Sequence, residues 1–288
     1  MEKIDFHVHV TPPEISARPQ RYAEREPYFA ALFRNARPGK ARAGFAGAED
    51  VVSMLDGSGF DRAVVFGFAF KDPGLCRAAN DYVIEAARRF PERLCGFMVV
   101  SPAAPGAERE IARCHDAGLK GVGELFPAGQ GFDIAERRDT GGVTGACAER
   151  NLPVMVHVNE PVGHRYPGKT DVGLRQIERF VENSPGLRVV LAHWGGGLPF
   201  YEAMPELRKK FRNVFYDTAA SPFLYDQSVY RAALALGLGG KIVFGSDFPL
   251  LPPSRYMPHL ETLPECERAL ILGGTAGRLL AAENPAAP

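Results

Sequence analysis

Two histidines close the first strand-like run of the chain. His7 and His9 lie two residues apart near the end of the apolar run 4–10. Alternate side chains of an extended strand point to the same face, so both imidazoles can reach one ion. Zinc and related divalent cations bind imidazole nitrogen and carboxylate oxygen, and two imidazoles supply half of such a site. The remaining donors must come from later in the chain.

Three more side chains of this kind end later apolar runs. His157 follows residues 153–156, His193 follows residues 189–192 and Asp247 follows residues 242–246. A lone histidine at the end of a strand is usually a hydrogen-bonded structural residue. Five such side chains that all end strands favour a metal site, because the carboxyl ends of barrel strands meet at one mouth. This pattern is typical of a catalyst.

Eight apolar, β-branched runs alternate with amphipathic segments along the chain. The predicted strands are residues 4–10, 62–68, 94–100, 121–125, 153–158, 188–192, 214–217 and 242–245. The predicted helices between them include residues 75–90, 107–117, 174–183, 201–210, 229–236 and 265–272. Such alternation predicts parallel strands with crossover helices, here a (β/α)8 TIM barrel that forms a single domain over residues 1–288.

The longest irregular segments follow the first, fourth and fifth predicted strands, at residues 11–48, 126–142 and 159–171. In a barrel these βα loops stand over the C-terminal mouth, where barrel enzymes keep their active sites. The competing fold is an open doubly wound sheet that binds a nucleotide on a glycine-rich turn after its first strand. That turn here is Val10-Thr11-Pro12-Pro13, which cannot cradle a pyrophosphate. Gly195-Gly196-Gly197 lacks the Lys-Ser/Thr ending of a phosphate loop.

The composition excludes several classes of partner. Lys plus Arg equals Asp plus Glu, at 34 each, so no overall field attracts nucleic acid or an anionic membrane. A small molecule is the expected partner. The five cysteines show no CxxC spacing, which argues against a disulfide framework or a thiolate zinc site and favours the cytoplasm. No leader precedes the first strand and no run approaches the roughly 20 apolar residues that span a bilayer, so we expect no membrane segment.

The strand-end motifs together resemble the amidohydrolase superfamily, and specifically its amidohydrolase 2 branch, which includes the aminocarboxymuconate-semialdehyde decarboxylase-like proteins. The segment 272–280 resembles the closing helix of that branch, although Thr275 stands where asparagine is usual. The motifs that carry the resemblance are Ile4-Asp5-Phe6-His7-Val8-His9, Met155-Val156-His157, Leu191-Ala192-His193-Trp194-Gly195-Gly196-Gly197, Tyr216-Asp217-Thr218-Ala219 and Phe244-Gly245-Ser246-Asp247-Phe248-Pro249.

The resemblance implies a divalent metal, with zinc expected, held by His7, His9, His157 and Asp247. It also implies that His193 lies beside the metal as an acid, base or electrophile. A bound metal lowers the pKa of its water towards about 7 and makes hydroxide available. Asp247 would then orient or deprotonate the water, and His193 would polarise the substrate oxygen, so these two are the predicted catalytic residues. Asp5 is expected either to brace a ligand or to make strand-end hydrogen bonds.

Glu124 is ambiguous. It lies near the end of the fourth predicted strand, and Gly-Glu there resembles the metal-bridging glutamate of the TatD-like deoxyribonucleases. As a ligand, Glu124 would favour a second metal or give a fifth donor to the first. The alternative is that it pairs with a nearby lysine or arginine at the mouth of the barrel.

Four residues in the predicted βα loops could contact a substrate: Arg165, Tyr166, Trp194 and Phe248. Arginine pairs with carboxylate and aromatic side chains cover a ring, so the expected substrate is small, partly apolar and anionic. The alternative for Arg165 is ordinary solvated surface charge.

The first functional hypothesis is metal-dependent hydrolysis of a small ester, lactone or amide-like bond. The alternative is non-oxidative decarboxylation of an aromatic or unsaturated carboxylic acid, with His193 or Asp247 delivering a proton to carbon. Both need the same metal ligands, and the shortness of the chain favours hydrolysis because the decarboxylases of this branch tend to be longer. A third hypothesis is a barrel that binds metal and ligand without turnover. The branch often forms dimers, so a homodimer is a possible assembly.

Overall fold

Eight parallel strands alternate with helices in the part of the chain that the structure describes. The structure, a computed structural model, describes residues 1–34 and 44–281. Residues 35–43 of the predicted loop 11–48 lie outside the described residues, as do residues 282–288 of the predicted domain. The strands are β1 Ile4–His9, β2 Arg62–Phe66, β3 Leu94–Gly96, β4 Val122–Leu125, β5 Val154–Val156, β6 Val189–Leu191, β7 Val214–Asp217 and β8 Ile242–Val243.

Hydrogen bonds close the strands into a barrel. Two parallel sheets, in the orders β1-β2-β3 and β4-β5-β6-β7-β8, meet through isolated bridges at Met98–Val122 and Val8–Phe248. At the β1–β8 seam the amide of Phe6 donates to the carbonyl of Phe244 at 2.7 Å. The predicted single-domain (β/α)8 barrel is therefore the observed fold.

Alternate strand residues pack into two buried layers. The inner cluster includes Phe6, Val64, Met155, Val190 and Val243. Their neighbours in sequence on β2, β5, β6 and β8 belong to a larger cluster shared with the surrounding helices. This period of two is what a sheet buried on both faces requires.

The helices lie between the strands and in the βα loops. Among residues 1–34 and 44–281, no helix is long and apolar enough to cross a lipid bilayer. The α-helices are α1 Pro13–Ala17, α2 Gln20–Ala23, α3 Pro27–Arg34, α4 Ala48–Ser58, α5 Pro73–Arg89, α6 Ala107–Asp116, α7 Pro127–Gln130, α8 Arg137–Glu149, α9 Leu174–Asn183, α10 Pro205–Lys210, α11 Ser221–Leu224, α12 Ser228–Ala235, α13 Met257–Leu260, α14 Glu265–Ala269 and α15 Thr275–Ala281. Shorter helical turns cover His193–Ala203, Gly239–Lys241, Pro253–Arg255 and Leu270–Gly274.

Several elements differ in their bounds from those that the sequence predicts. The predicted strand 94–100 is continuous only to Gly96; beyond it Met98 makes an isolated bridge to Val122, and the Asn80 side chain bonds to both backbone groups of Val99. The predicted helix 201–210 begins only at Pro205, since residues 193–203 form a kinked turn. The loops 11–48 and 126–142 contain short helices of their own.

Candidate metal centre

Among the residues that the structure describes, six side chains that could bind a metal converge at the C-terminal mouth of the barrel. Each lies at, or just beyond, the C-terminal end of a strand. They form two groups of three, and within each group the ligand atoms lie within 4.8 Å of one another. The first triad is His7, His9 and Asp247, and the second triad is Glu124, His157 and His193.

The first triad joins β1 to the segment that follows β8. Nε2 of His7 lies 3.1 Å from Nε2 of His9. Oδ1 of Asp247 lies 3.3 Å from Nε2 of His9 and 3.6 Å from Nε2 of His7. The His7 side chain is fully buried, whereas that of His9 is 24% exposed, so a ligand can approach from the His9 side.

The second triad joins β4 to the segments after β5 and β6. Oε1 of Glu124 lies 3.0 Å from Nδ1 of His157 and 3.4 Å from Nε2 of His193. Those two ring nitrogens are 3.2 Å apart. Oε2 of the same glutamate lies 3.8 Å from Nε2 of both His7 and His9. Glu124 therefore stands between the two triads and contacts both.

The outer nitrogen of three of the imidazoles bonds to an acceptor. Nδ1 of His7 lies 2.8 Å from Oδ2 of Asp217, and Nδ1 of His193 lies 3.1 Å from the carbonyl of Ala219. Nε2 of His157 lies 2.9 Å from the carbonyl of Gly168. Carboxylate and carbonyl oxygens only accept, so each of these nitrogens donates. In the neutral imidazole, the opposite nitrogen then keeps its lone pair towards the centre, as metal binding requires.

The centre is rich in buried negative charge. In the described part of the chain, every ion pair of Glu124 and Asp247 is with a histidine. The alternative pairing of Glu124 with a lysine or arginine is therefore not observed among those residues. Burial would raise the pKa of both carboxyls, but the facing imidazoles outweigh it and hold each pKa well below its usual range.

The buried carboxylates in turn raise the pKa of two of the histidines. Burial would lower the pKa of His7, but the charge of Asp217, with Glu124 and Asp247, raises it to about 9. For His193, burial is outweighed by the hydrogen bond and charge of Glu124, and the pKa rises to about 10. A site that draws protons this strongly attracts positive charge. Imidazole nitrogens and carboxylate oxygens are donors that suit zinc, and both donor types are found at manganese and iron sites, so these residues fit a divalent cation.

A left-handed turn places His193. Five consecutive residues from His193 to Gly197 have positive φ, and the three glycines adopt this conformation without steric cost. The turn buries Trp194 completely, and its indole nitrogen donates to Oγ of Ser221 at 2.6 Å. The prediction that Trp194 contacts substrate is therefore corrected: its ring packs in the core against Tyr230.

Gly245 makes room for the His7–Asp217 pair. A Cβ at this position would lie 2.7 Å from Cβ of His7 and 3.5 Å from Cβ of Asp217.

Asp5 bonds to backbone amides and not to the ring of a triad histidine. Its Oδ1 accepts from the amides of Ser246 at 2.9 Å and His7 at 3.3 Å. The register of β1 shifts between Asp5 and Val8, which breaks the simple alternation expected from the sequence.

The other predicted substrate residues lie in the loops after β5 and β8. Tyr166 donates to Oε2 of Glu160 at 2.8 Å. It lies in the loop whose Gly168 carbonyl accepts from Nε2 of His157. The Arg165 side chain is 80% exposed and lies 3.7 Å from Asp171. Phe248 is half-buried, and its carbonyl accepts from the amide of His9 at 2.8 Å. Contacts of Tyr166, Arg165 and Phe248 with a substrate stay predictions.

Sequence reasoning missed an aromatic wall beside the second triad. The ring centroid of Phe126 lies 4.6 Å from that of His157. Tyr28 packs edge-on against Phe126 at 5.0 Å, and Phe68 does so at 6.5 Å. Phe66 flanks His9 at 4.9 Å. The available signal was that Phe68 ends one predicted strand and Phe126 directly follows another.

Solved structures with the same fold include aromatic acid decarboxylases. 5-Carboxyvanillate decarboxylase LigW from Sphingomonas paucimobilis is 17% identical, with a TM-score of 0.79 over 98% of this chain and 99% of that one. 2,6-Dihydroxybenzoate decarboxylase from Rhizobium is 16% identical, with a TM-score of 0.73 over 97% and 98%. The 5-carboxyvanillate decarboxylase from Novosphingobium aromaticivorans, solved with manganese and 4-hydroxy-3-methoxy-5-nitrobenzoic acid, is 16% identical, with a TM-score of 0.78 over 98% and 96%.

A comparison with curated proteins finds no match. The sequence comparison that does succeed is with a family model described as amidohydrolase, which matches residues 4–281. Because this match covers nearly the whole chain and all six donors, the protein belongs to the amidohydrolase family.

Proposed function

We propose that this protein is a metal-dependent, non-oxidative decarboxylase of a small aromatic carboxylic acid. The observation that carries the proposal is the aromatic wall beside the donor cluster, where the ring of Phe126 lies 4.6 Å from His157. The shared fold with decarboxylases of hydroxylated benzoates supports it.

The wall and the donors suit the two ends of such a substrate. Phe126 is nearly buried, while Tyr28 and Phe68 are half-buried and can give up area to an incoming ring. Aromatic rings pack edge-to-face or offset, and each such contact contributes about 0.5–1.5 kcal/mol beyond burial. A divalent cation held by the triads would supply the positive charge that binds the carboxylate oxygens.

The chain must also deliver a proton. In decarboxylation the bond between the ring and the carboxyl group breaks, CO₂ leaves, and the electron pair stays on the ring carbon, which then takes up a proton. We assign this proton relay from solvent to Asp247, which lies beside His9, the most exposed side chain of the first triad. His193 is the second candidate, but both of its ring nitrogens already contact protein groups.

Hydrolysis of a small ester or lactone is the second candidate function. The observation that favours it is the position of Glu124 between two triads, because paired-metal centres are common in hydrolases. The length of the chain does not favour hydrolysis, since the alignment with LigW covers 99% of that decarboxylase.

Zinc stays the metal expected from the sequence, and manganese is the metal of a related structure.

A deuterium experiment separates these reactions. The protein, loaded with Zn²⁺ or Mn²⁺, is incubated in D₂O with hydroxylated benzoates and, separately, with aryl esters and lactones. Decarboxylation gives CO₂ and deuterium at the former carboxyl position, which ¹H NMR detects, whereas hydrolysis gives acid without carbon deuteration. The chelator-stripped protein is the control. Ester cleavage with no CO₂ release from any acid would overturn the decarboxylase proposal, and metal binding without either reaction would favour a barrel without turnover.

A further inference from the structure

We infer that Glu26 and Gln130 are positioning residues for the aromatic ring of the substrate. Neither is one of the six donors at the mouth of the barrel. Each is a buried polar side chain that joins segments carrying rings of the aromatic wall. The inference rests on the proposed function, because it takes an aromatic acid as the substrate.

The rings of the wall come from separate segments of the chain. Tyr28 lies in α3, Phe68 follows β2 and Phe126 follows β4. Tyr28 and Phe68 both pack edge-on against Phe126, at centroid distances of 5.0 Å and 6.5 Å. The width of a slot for a substrate ring therefore depends on how these segments are held relative to one another.

Glu26 anchors the segment that carries Tyr28. It is only 3% exposed, and its two carboxylate oxygens accept from the backbone amides of Asp72 at 2.8 Å and Lys71 at 2.9 Å. These amides lie where the chain that follows β2 enters α5, and negative charge is favourable at the N-terminus of a helix. Because hydrogen bonds to a charged group are roughly twice as strong as neutral ones, the start of α3 is held firmly to the segment after β2.

Gln130 holds Phe126 to the same segment. Its amide oxygen accepts from the backbone amide of Phe126 at 3.0 Å, while its Nε2 donates to the carbonyls of Phe70 at 3.0 Å and Val100 at 2.7 Å. A glutamate of the same length could accept but could not make the two donations. Glu26 and Gln130 thus both bond to residues 70–72, which form the common anchor of the wall.

Gly129 lets the ring of Phe126 lie against α7. A Cβ at Gly129 would lie 2.5 Å from Cδ1 and 2.8 Å from Cε1 of that ring. Any larger residue would therefore displace the ring from its place beside His157. The polar anchors and this close approach define one position for the ring, so we expect a slot that is preorganised for an aromatic substrate.

Two carboxylate probes separate ring binding from binding at the donors. Benzoate carries a ring and a carboxylate, whereas acetate carries the carboxylate alone. Ligand-observed NMR titrations of the Zn²⁺-loaded protein measure both affinities. We expect Glu26→Ala and Gln130→Met to weaken benzoate binding about two- to tenfold, the equivalent of one lost aromatic contact, and to leave acetate binding unchanged.

Milder variants keep the test decisive if either of these fails to fold. Glu26→Gln retains an acceptor for one of the two amides and should weaken benzoate binding less than Glu26→Ala does. Gly129→Ala removes no hydrogen bond and places a better helix former in α7, yet it should also weaken benzoate binding because the ring must move. Thermal unfolding checks that each variant is folded. Glu24→Ala, at an exposed carboxylate two residues from Glu26, is the matched control and should bind both probes like the wild type.

The outcomes distinguish this inference from the proposed function. Benzoate binding that stayed at the wild-type affinity in the folded variants would overturn the inference even if decarboxylation were observed. Equal weakening of benzoate and acetate would also overturn it, because the change would then lie at the donors, as would a wild-type protein that binds benzoate no more tightly than acetate. Selective weakening of benzoate would support it even if neither decarboxylation nor hydrolysis were found.

Discussion

Oδ2 of Asp217 lies 2.8 Å from Nδ1 of His7, and both side chains are completely buried. The other oxygen of this carboxylate, Oδ1, accepts from the backbone amides of His193 at 2.8 Å and Ala219 at 3.0 Å. One aspartate therefore orients the ring of His7 in the first triad and fixes the start of the turn that carries His193 of the second. It couples the two halves of the centre without belonging to either.

Asp217→Asn should weaken metal binding while preserving the fold. The amide oxygen can still accept from the backbone, but the amide NH₂ then faces Nδ1 of His7 and favours the tautomer whose Nε2 carries the proton. Loss of such an orienting partner typically costs 10–100-fold in metal affinity. Competition with a chromophoric chelator measures this change. Asp116→Asn, at an exposed carboxylate, should leave the affinity unchanged, and an unaltered affinity in Asp217→Asn would show that the hydrogen bond does not orient His7.

The left-handed turn should tolerate a methyl group at Gly197 far better than at Gly196. Both positions have positive φ, so alanine costs roughly 1–2 kcal/mol at either. At Gly196 the new Cβ would also lie 2.4 Å from the carbonyl oxygen of Asn159, whereas at Gly197 its nearest neighbours are 4.0 Å away. Urea denaturation should show a distinctly larger loss of stability for Gly196→Ala. Equal losses would mean that the two loops separate without cost.

Phe126→Leu should raise KM for an aromatic acid about two- to tenfold and change kcat little, as expected from the loss of one aromatic contact. The prediction rests on the proposed decarboxylation and on the position of the ring beside His157. Steady-state kinetics measure it, with Phe223→Leu, an exposed ring after β7, as the control. A large fall in kcat at unchanged KM would place Phe126 outside the substrate wall.

Glu110→Gln should destabilise the protein at neutral pH but not in acid. Burial opposes ionisation of Glu110, but hydrogen bonds from Arg113, Asn80 and Cys114 outweigh it and lower the pKa from 4.5 to about 2. A depressed carboxyl pKa gives stability that is present above pH 4.5 and is lost as the pH falls towards 2. The expected loss in the variant is on the order of 2 kcal/mol at pH 7.

Urea titrations from pH 7 down to pH 3 measure this difference, which should shrink as the pH falls below 4.5. Glu108→Gln is the matched control, because Glu108 lies in the same first turn of α6 but is exposed. A difference that stayed constant with pH would assign the effect of Glu110→Gln to packing rather than to charge.

The alternation of strands and helices predicts the barrel, and the places of five side chains at the ends of predicted strands predict that they meet at its mouth. The two-residue spacing of His7 and His9 puts both rings on one face, and the carboxyl ends of parallel strands bring His157, His193 and Asp247 to the same mouth. These rules depend only on chain direction and period, which the sequence carries directly. Glu124 also lies near the end of a predicted strand, but the sequence left open whether it binds a metal or pairs with a lysine or arginine, because its position between two triads depends on three-dimensional distances.

The predictions that failed concern residues whose positions depend on loop conformation and tertiary contacts. Trp194 follows a ligand in sequence, yet five residues of positive φ turn its ring into the core. The chain beyond β3 pairs irregularly, through an isolated bridge from Met98 to Val122 and through the Asn80 side chain at Val99. Asp217 belongs to one of the motifs that carry the family resemblance, but nothing in the sequence predicted its hydrogen bonds to His7 and to the amide of His193. In each case tertiary contacts override the local pattern.

The seam between β1 and β8 has a consequence for when the centre can form. The first triad takes two side chains from β1 and one from the segment that follows β8, and the amide of Asp247 donates to the carbonyl of His7 across that seam at 2.9 Å. This triad therefore cannot form until Asp247 has been synthesised and the segment after β8 has paired with β1. A cation bound there would link the first and last strands of the barrel and disfavour any opening at that seam.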